Sequence, residues 1–361
     1  MTPGPAGSAG LPRPCYLLPL RRSSDEGIGE LTGYLREIAH ICDVLIVDAS
    51  PDPLFSRHHA AWMAFARHIR PDPALACRNG KVCGVVTGVR GSTAADVIIA
   101  DDDVRYSHRA LTEVLGLLAG ADLVIPQNYF EPLPWHAAWD SGRILINRAA
   151  GYDYPGTLAV RRAAFLGAGC YDGDVLFENL ELIRTIRAAG GRLAAAPWIH
   201  VRRLPPEVGH FAGQRVRQAY DSLAQPGRLA AELSVLPAVA LALGRRSFWP
   251  LGLGAVAVAA AGEAGRRRNG GRAVFAWYLP LLAPVWLAER SVCSWLALSC
   301  RMRGGVRYAG QRLPRAATPA AVLRNKAIRR QDSRRRLPAG GAVTGAKTGA
   351  GMRSVAERLD G

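Results

Sequence analysis

The sequence predicts an α/β fold, a mostly parallel sheet with helices on both faces, followed by an apolar helical region. Three observations carry that prediction. Short apolar runs rich in β-branched residues alternate with stretches of helical periodicity from residue 15 onward. Aspartates stand where two of those runs stop, at Asp48 and at Asp101-Asp102-Asp103, and such sheets bind ligands beyond the carboxyl ends of their strands. Finally, the charge is divided along the chain. Residues 1–232 hold 24 basic and 24 acidic side chains, whereas 233–361 hold 22 and 5, so the net +17 belongs to the last third. The boundary separates a neutral domain from a basic, apolar one.

Residues 1–14, mostly Gly, Pro, Ala and Ser, carry neither the basic start nor the long apolar stretch of a secretory signal and are expected to be a disordered lead. Cys15–Leu20 is too short to span a membrane and reads as a first buried strand. Over 28–41, Ile28, Leu31, Leu35, Ile38 and Ala39 recur at helical spacing, which makes an amphipathic helix. A β-branched run, 44–47, stops at Asp48. Helical patterns are expected over 60–69 and 82–89. Asp96–Ala100 is a third strand, ending at the triple aspartate. Ser107 can cap a helix reaching Leu118, and 123–126 is a fourth strand. Seven cysteines with no Cys-x-x-Cys pair argue against a zinc ribbon and for reduced thiols.

Beyond Glu232, three apolar segments cover 233–243, 248–262 and 273–288, separated by Arg245-Arg246 and Arg266-Arg267-Arg268. At 11 to 16 residues each falls short of a bilayer's ~30 Å hydrocarbon core. Arginines at their ends read as headgroup anchors of membrane or in-plane interfacial helices, with anionic lipid as the partner; the alternative is a buried helical subdomain with a basic tail. Residues 301–336 add twelve basic residues against Asp332 alone. Tyr308 is the one aromatic in that run, which argues against nucleic acid as the partner. The expected division is 1–14 lead, 15–228 catalytic domain, 229–304 apolar helices, and 305–361 basic, largely disordered tail.

Three adjacent aspartates repel one another, and a divalent cation relieves that cost. Hard oxygen ligands suit Mg²⁺ or Mn²⁺, which can neutralise a substrate diphosphate. The bland alternative is an acidic loop at the start of the next helix.

The motifs follow in order. Val47-Asp48-Ala49-Ser50-Pro51-Asp52 closes the second strand, Gly80-Lys81 opens a helix, and Asp101-Asp102-Asp103 ends the third strand. Downstream come Gly156-Thr157-Leu158-Ala159-Val160-Arg161-Arg162, Gly169-Cys170-Tyr171-Asp172, Phe177-Glu178-Asn179-Leu180-Glu181-Leu182, and Gln214-Arg215-Val216-Arg217-Gln218. This ordered set resembles the family 2 glycosyltransferases with a GT-A nucleotide-sugar-binding fold. There a "VDDGS-x-D" turn, a "GK" helix, a "DXD" motif, a Glu-Asp pair and a "QXXRW" motif occur in that order. The resemblance covers about 15–220. Ceramide-glucosyltransferase-like relatives share the arrangement of a catalytic domain followed by apolar helices.

The resemblance implies an inverting, metal-dependent transfer of a sugar from a nucleotide-diphosphate-sugar donor to a lipid or glycan acceptor at the cell membrane, with the catalytic domain cytoplasmic. Asp48 and Asp52 would hydrogen-bond the nucleotide, and Asp101 would lie near the ribose. Asp103, with Asp101, would hold the metal. Lys81 and Arg217 would meet the leaving diphosphate's charge, with Gln214 on the same helix face as Arg217. Inversion needs a carboxylate to take the acceptor's proton. The family's usual Asp is here Asn179, which cannot act as a base. The role falls to Glu178, to Glu181 one turn on, or to another carboxylate such as Asp172 or Asp174. Gln218 replaces the family's Trp. Trp135, His136 and Trp139 read as core aromatics or as a sugar-stacking wall, and His200 and His210 receive no role. A nucleotidyltransferase is the first alternative, though Pro19-Leu20-Arg21-Arg22 offers no glycine-rich phosphate loop. A non-catalytic membrane- or nucleic-acid-binding protein acting through its basic tail is the second.

Overall fold

Strands with one apolar face to each side of a sheet need two helical layers, and the chain supplies both. The computed structural model describes residues 13–308 and 310–336. The expected lead up to residue 12 and the tail beyond 336 lie outside the described residues. β1 (Cys15–Leu20), α1 (Ile28–Ala39), β2 (Asp43–Asp48), α2 (Asp52–Trp62) and β3 (Arg67–Ile69) open the fold. α3 (Gly80–Gly91), β4 (Asp96–Ala100), β5 (Val104–Arg105), α4 (His108–Leu118) and β6 (Leu123–Phe130) follow. Next come α5 (Trp135–Ala149), β7 (Thr157–Arg161), α6 (Arg162–Gly167), α7 (Glu178–Ala188), β8 (Leu193–Arg203) and α8 (Val208–Tyr220). These eight strands form one sheet of order β3-β2-β1-β4-β7-β6-β8-β5. β3, β2, β1 and β4 run parallel; β7 reverses against β4, and β6 and β8 pair in parallel.

Alternation along each strand divides the core in two. Tyr16, Leu18, Val44, Ile46 and Ile98 face α1 and α4, packing on Leu35, Ile38, Leu111 and Val114. Leu17, Leu45, Val47, Val97 and Ile99 face α3, α6 and α7, packing on Val85, Val89, Phe165 and Ile183. α3 lies unusually close to β1. A Cβ at Gly88 would come within 2.2 Å of Leu17 Cδ1, and one at Gly84 within 3.0 Å of Pro19 Cβ. These glycines let the helix settle on the strand and fix where its first turn, with Lys81, meets the sheet edge. Ser107 caps α4 as expected, accepting from the Ala110 amide.

Several sequence expectations need correction. The pattern over 60–69 is not one helix: α2 ends at Trp62, and 67–69 form β3. Cys77 and Cys83 form a disulfide, so the thiols are not all reduced; the Cys-x-x-Cys test overlooked a six-residue separation. The apolar segments are longer helices: α9 (Pro226–Arg245), α10 (Trp249–Arg267) and α11 (Leu279–Met302). Two of them, α9 and α11, are long and apolar enough to cross a membrane. The 273–288 segment is interrupted, because Arg268–Ala273 is a kinked 3-10 turn and α11 starts only at Leu279. Residues after 305, expected as largely disordered, carry a hairpin of β9 (Val306–Tyr308) and β10 (Gln311–Leu313) and then α12 (Ala320–Arg336).

α10 and α11 clasp α5. A Cβ on Gly142 would sit 3.0 Å from Ala283 Cα, and one on Gly265 2.0 Å from the Leu145 carbonyl oxygen. Arg148, buried in this contact, donates to the carbonyls of Gly265, Pro197 and Arg268. Arg215 of α8 joins Asp140 of α5 to Glu289 of α11, at 2.9 Å and 3.1 Å.

Candidate active site

Strand register, rather than sequence proximity, assembles the site. β7 runs antiparallel beside β4 with Thr157 opposite Ala100, which sets Gly156 against Asp101. The Asp101 amide donates to the Gly156 carbonyl at 2.9 Å. A side chain at 156 is excluded, since a Cβ would stand 2.7 Å from Asp101 Oδ2. β5, which starts immediately after the triple aspartate, pairs with the end of β8, Val104 opposite Arg203. That pairing delivers Arg203, a hundred residues away in sequence, onto the aspartates.

A cleft of about 530 Å³ opens there, lined by Lys81, Asp101, Asp102, Asp103, Gly156, Glu178, Asn179, Arg203, Gln214, Arg217, Asp221 and Tyr308 among others. It sits beyond the carboxyl ends of β1, β2 and β4, where an α/β sheet is expected to bind its ligand. Lys81 Nζ bridges two acids, 2.5 Å from Asp101 Oδ1 and 2.7 Å from Glu178 Oε1. Burial opposes the lysine's charge, but the two carboxylates outweigh it and hold the ammonium well above its usual range. Arg203 reaches Asp103 Oδ2 at 2.9 Å and Asp101 Oδ2 at 3.5 Å. Asp103 Oδ1 is buried without a hydrogen-bond partner. Burial pushes the Asp103 carboxyl up to about 6, against the pull of Arg203, with Asp101 and Asp102 adding to the rise.

The residues expected from sequence fall into two groups. Lys81, Asp101, Asp103, Glu178, Gln214 and Arg217 meet in the cleft. Asp48, Asp52 and Glu181 do not line it. Asp48 is fully buried, with its carboxylate 2.7 Å from His58 Nδ1, 3.2 Å from His68 Nε2, and accepting from the Ser50 amide at 2.7 Å. Burial disfavours its charge, but the bonds from His68, Ser50 and His58 prevail and hold the carboxyl well below the usual range. It organises the β2 turn and has no free oxygen for a nucleotide. Asp52, 95% exposed, pairs outward with Arg70. Glu181 is buried on the far side of α7, accepting from the Thr318 amide at 2.7 Å, and burial raises its carboxyl. Of the other carboxylates considered, Asp172 pairs with Arg315 at 3.2 Å and Asp174 accepts from the Arg78 amide.

Glu178 stays in the cleft, but an ammonium already matches its charge. Asn179 Nδ2 donates to the Pro155 carbonyl at 2.9 Å and helps set the cleft wall. Arg217 has no carboxylate within ion-pair distance among the described residues; its guanidinium stands 5.2 Å over the Tyr308 ring, brought in by the β9–β10 hairpin. Sequence reasoning missed Arg203, Asp221, Tyr308 and the cleft-lining His210, whereas His136, one of the aromatics weighed as a sugar-stacking wall, does line the cleft. Trp135, grouped with core aromatics, is 62% exposed.

The expected metal pair needs revision. Among the described residues no group of three or more His, Cys, Asp or Glu side chains could hold a metal ion. Asp101 is already shared between Lys81 and Arg203. The orphaned Asp103 Oδ1 is what fits a cation. Mg²⁺-type sites take one or two carboxylates and complete their shell with water and substrate phosphate oxygens.

No protein-family model matches this chain, and no curated protein matches it. Its fold is similar to that of the mannosyltransferase PcManGT from Pyrobaculum calidifontis in complex with GDP-Man and Mn²⁺. The identity there is 16%, over 80% of this chain and 88% of that one, with a TM-score of 0.47. GalNAc-T7 with UDP, GalNAc and Mn²⁺ is similar at 13% identity over 56% of this chain and 45% of that one, TM-score 0.41. Glucosyl-3-phosphoglycerate synthase of Mycobacterium tuberculosis is similar at 14% identity over 55% and 75%, TM-score 0.38. Likenesses this distant decide nothing about activity, which has to be argued from the cleft's own side chains.

Proposed function

We propose that this chain is a glycosyltransferase of GT-A type that binds a nucleotide-diphosphate sugar in the cleft and passes the sugar, with inversion, to a lipid or glycan hydroxyl. The observation that carries the reading is the lining of the cleft: a buried Asp103 oxygen with no hydrogen-bond partner, together with Arg203, Lys81 and Arg217, the last with no carboxylate within ion-pair distance among the described residues. An acidic oxygen and three cations around one cavity match a diphosphate accompanied by a divalent metal. They do not match a neutral ligand.

In this reading Asp103 would hold Mg²⁺ or Mn²⁺, which would neutralise part of the diphosphate charge, while Asp101 stays engaged with Lys81 and Arg203. Arg217 and Arg203 face the phosphates and stabilise the negative charge as the sugar–phosphate bond breaks, an interaction that strengthens towards the transition state. Lys81, held charged by Asp101 and Glu178, adds a third cation at the same end. Glu178 therefore positions Lys81. Gln214, hydrogen-bonded to Gln218 at 3.3 Å, lines the opposite wall and orients the sugar or its acceptor. Donor binding in the presence of Mn²⁺, measured by calorimetry over a panel of UDP- and GDP-sugars, tests the reading. One tight donor is expected; no binding by any of them would contradict it.

The proposed setting is a membrane surface with the catalytic domain on the cytoplasmic side. Leu241, Leu243, Phe248, Trp249, Leu253 and Val256 are exposed around the α9–α10 turn, next to Arg245 and Arg246. An apolar tip with two adjacent arginines suits an anionic lipid interface. α11 is different, because Glu289 at its middle pairs with Arg215 of α8. A helix tied by a buried ion pair to the catalytic domain lies against that domain, so the reading is of in-plane attachment, with α11 as part of the platform. Flotation of the full chain with phosphatidylglycerol vesicles is the check, and failure to co-float would remove the membrane from the proposal.

A further inference from the structure

Among the carboxyl groups that line the cleft, Asp221 has no part in holding the donor. Asp221 follows Tyr220 at the end of α8, one turn past Arg217, and opens the 3-10 turn Asp221–Ala224. It lines the cleft with Glu178, Arg217 and Gln218. Its Oδ1 is buried with no hydrogen-bond partner. A buried oxygen left without a hydrogen bond is costly, so its natural complement is a donor brought by a ligand.

We propose that Asp221 is the proton acceptor of the transfer reaction, taking the hydroxyl proton of the glycosyl acceptor; this rests on the glycosyltransferase reading given above. The two carboxylates that sequence points to are otherwise engaged. Glu178 is 2.7 Å from the Lys81 ammonium, and Glu181 lies outside the cleft, accepting from the Thr318 amide at 2.7 Å. In the step, the acceptor oxygen gives its proton to Asp221 and forms a bond to the anomeric carbon. The bond from that carbon to the diphosphate oxygen breaks, and its electron pair leaves with the nucleoside diphosphate. Asp221 later returns the proton to water.

The surroundings suit a base. Burial raises the Asp221 carboxyl to about 8, and Glu178 of α7 adds to the rise. Arg290 of α11, Arg217 of α8 and Arg228 of α9 pull the other way. A carboxylate of high proton affinity in a cleft is a strong acceptor once ionised, and its ionised fraction grows with pH.

The test follows nucleoside diphosphate release from UDP- and GDP-sugars with Mn²⁺, to water or to an added acceptor, using the full chain. For the unmutated protein, release should climb through about pH 8. Asp221→Asn should cut release by about a hundredfold or more and erase that climb, with donor affinity kept within about threefold. Release by the variant within tenfold of the parent would overturn the assignment. Should the variant fail to fold, the parent's profile decides alone: a flat rate from about pH 6 to 9 overturns it. Absence of donor binding by the unmutated chain would sink the glycosyltransferase reading itself and this one with it. Intact binding without Asp221 dependence sinks only this one.

Discussion

The two ends of the cleft are built on opposite electrostatic plans. At the Asp101–Asp103 end, Lys81 and Arg203 are interleaved with the carboxylates, and three of the four oxygens of Asp101 and Asp103 lie against a cation. At the Asp221 end, a carboxyl oxygen is buried without a hydrogen bond. The first arrangement holds fixed charges in place for a charged ligand and changes little as a reaction proceeds. The second keeps a proton site whose charge is unmatched until something protic arrives. A cleft that both grips phosphates and accepts a proton needs both plans, and burial keeps the proton affinity of Asp221 high although Arg290, Arg217 and Arg228 pull against it.

The comparison breaks most visibly in turnover. Asp221→Asn should lower the rate by about a hundredfold or more, whereas Glu178→Gln should stay within about tenfold, because Glu178 acts through Lys81. Rates measured at saturating donor separate the two, and the reverse ranking would return the base to Glu178. Next in size, Arg203→Ala leaves Asp101 and Asp103 short of a counter-charge. It should cost about 3 kcal/mol of stability in urea unfolding, as removing one member of a largely buried pair does. A loss near zero would mean that the aspartates are solvated and the donor end is not pre-assembled. Gly88→Ala, outside the cleft lining, should cost about 2 kcal/mol, because its Cβ meets Leu17. It should also weaken donor binding by shifting Lys81, and an unchanged stability would show that α3 is free to slide.

The pH dependence of stability sharpens the same contrast. Asp221, raised from 3.8 to about 8, and Asp103, raised to about 6, each bind a proton more tightly folded than unfolded. Their contribution is fully present below about pH 4 and is lost as pH rises through 6 and then 8. Asp48 runs the other way, its contribution present above 3.8 and lost only in stronger acid. His200, lowered by burial from 6.5 to about 4, works against the two raised carboxyls up to about pH 6.5, so the metal-free protein should lose stability from about pH 6.5 to 8, and Asp221→Asn should flatten that slope. A stability rising across that window would contradict the unmatched state of Asp221.

What the sequence made legible follows from how local each signal is. β1, β4 and α4 could be read to within a residue, because an apolar run or a serine cap marks their ends. β3 and β5, three and two residues long, exist only because a neighbouring strand offers hydrogen bonds, and no local pattern announces them. The same holds for the site. Lys81, Asp101, Asp103 and Arg217 stood in recognisable order, whereas Arg203 arrives through strand register. Asp48 looked like a ligand-binding aspartate at a strand end. Two histidines, 10 and 20 residues on, occupy its carboxylate, and only the fold reveals that. Tyr308 reaches the cleft from beyond the apolar helices, in a stretch whose arginines suggested disorder.

Titration calorimetry of UDP- and GDP-sugars with Mn²⁺, comparing the unmutated chain with Asp103→Asn, goes most directly to the claim that the strand-end acids and cations form a nucleotide-sugar diphosphate site. The expected result is one donor bound in a Mn²⁺-dependent manner, weakened at least about tenfold, or about 1.4 kcal/mol, by the substitution. Equal affinity in the two proteins, or binding indifferent to Mn²⁺, would contradict it.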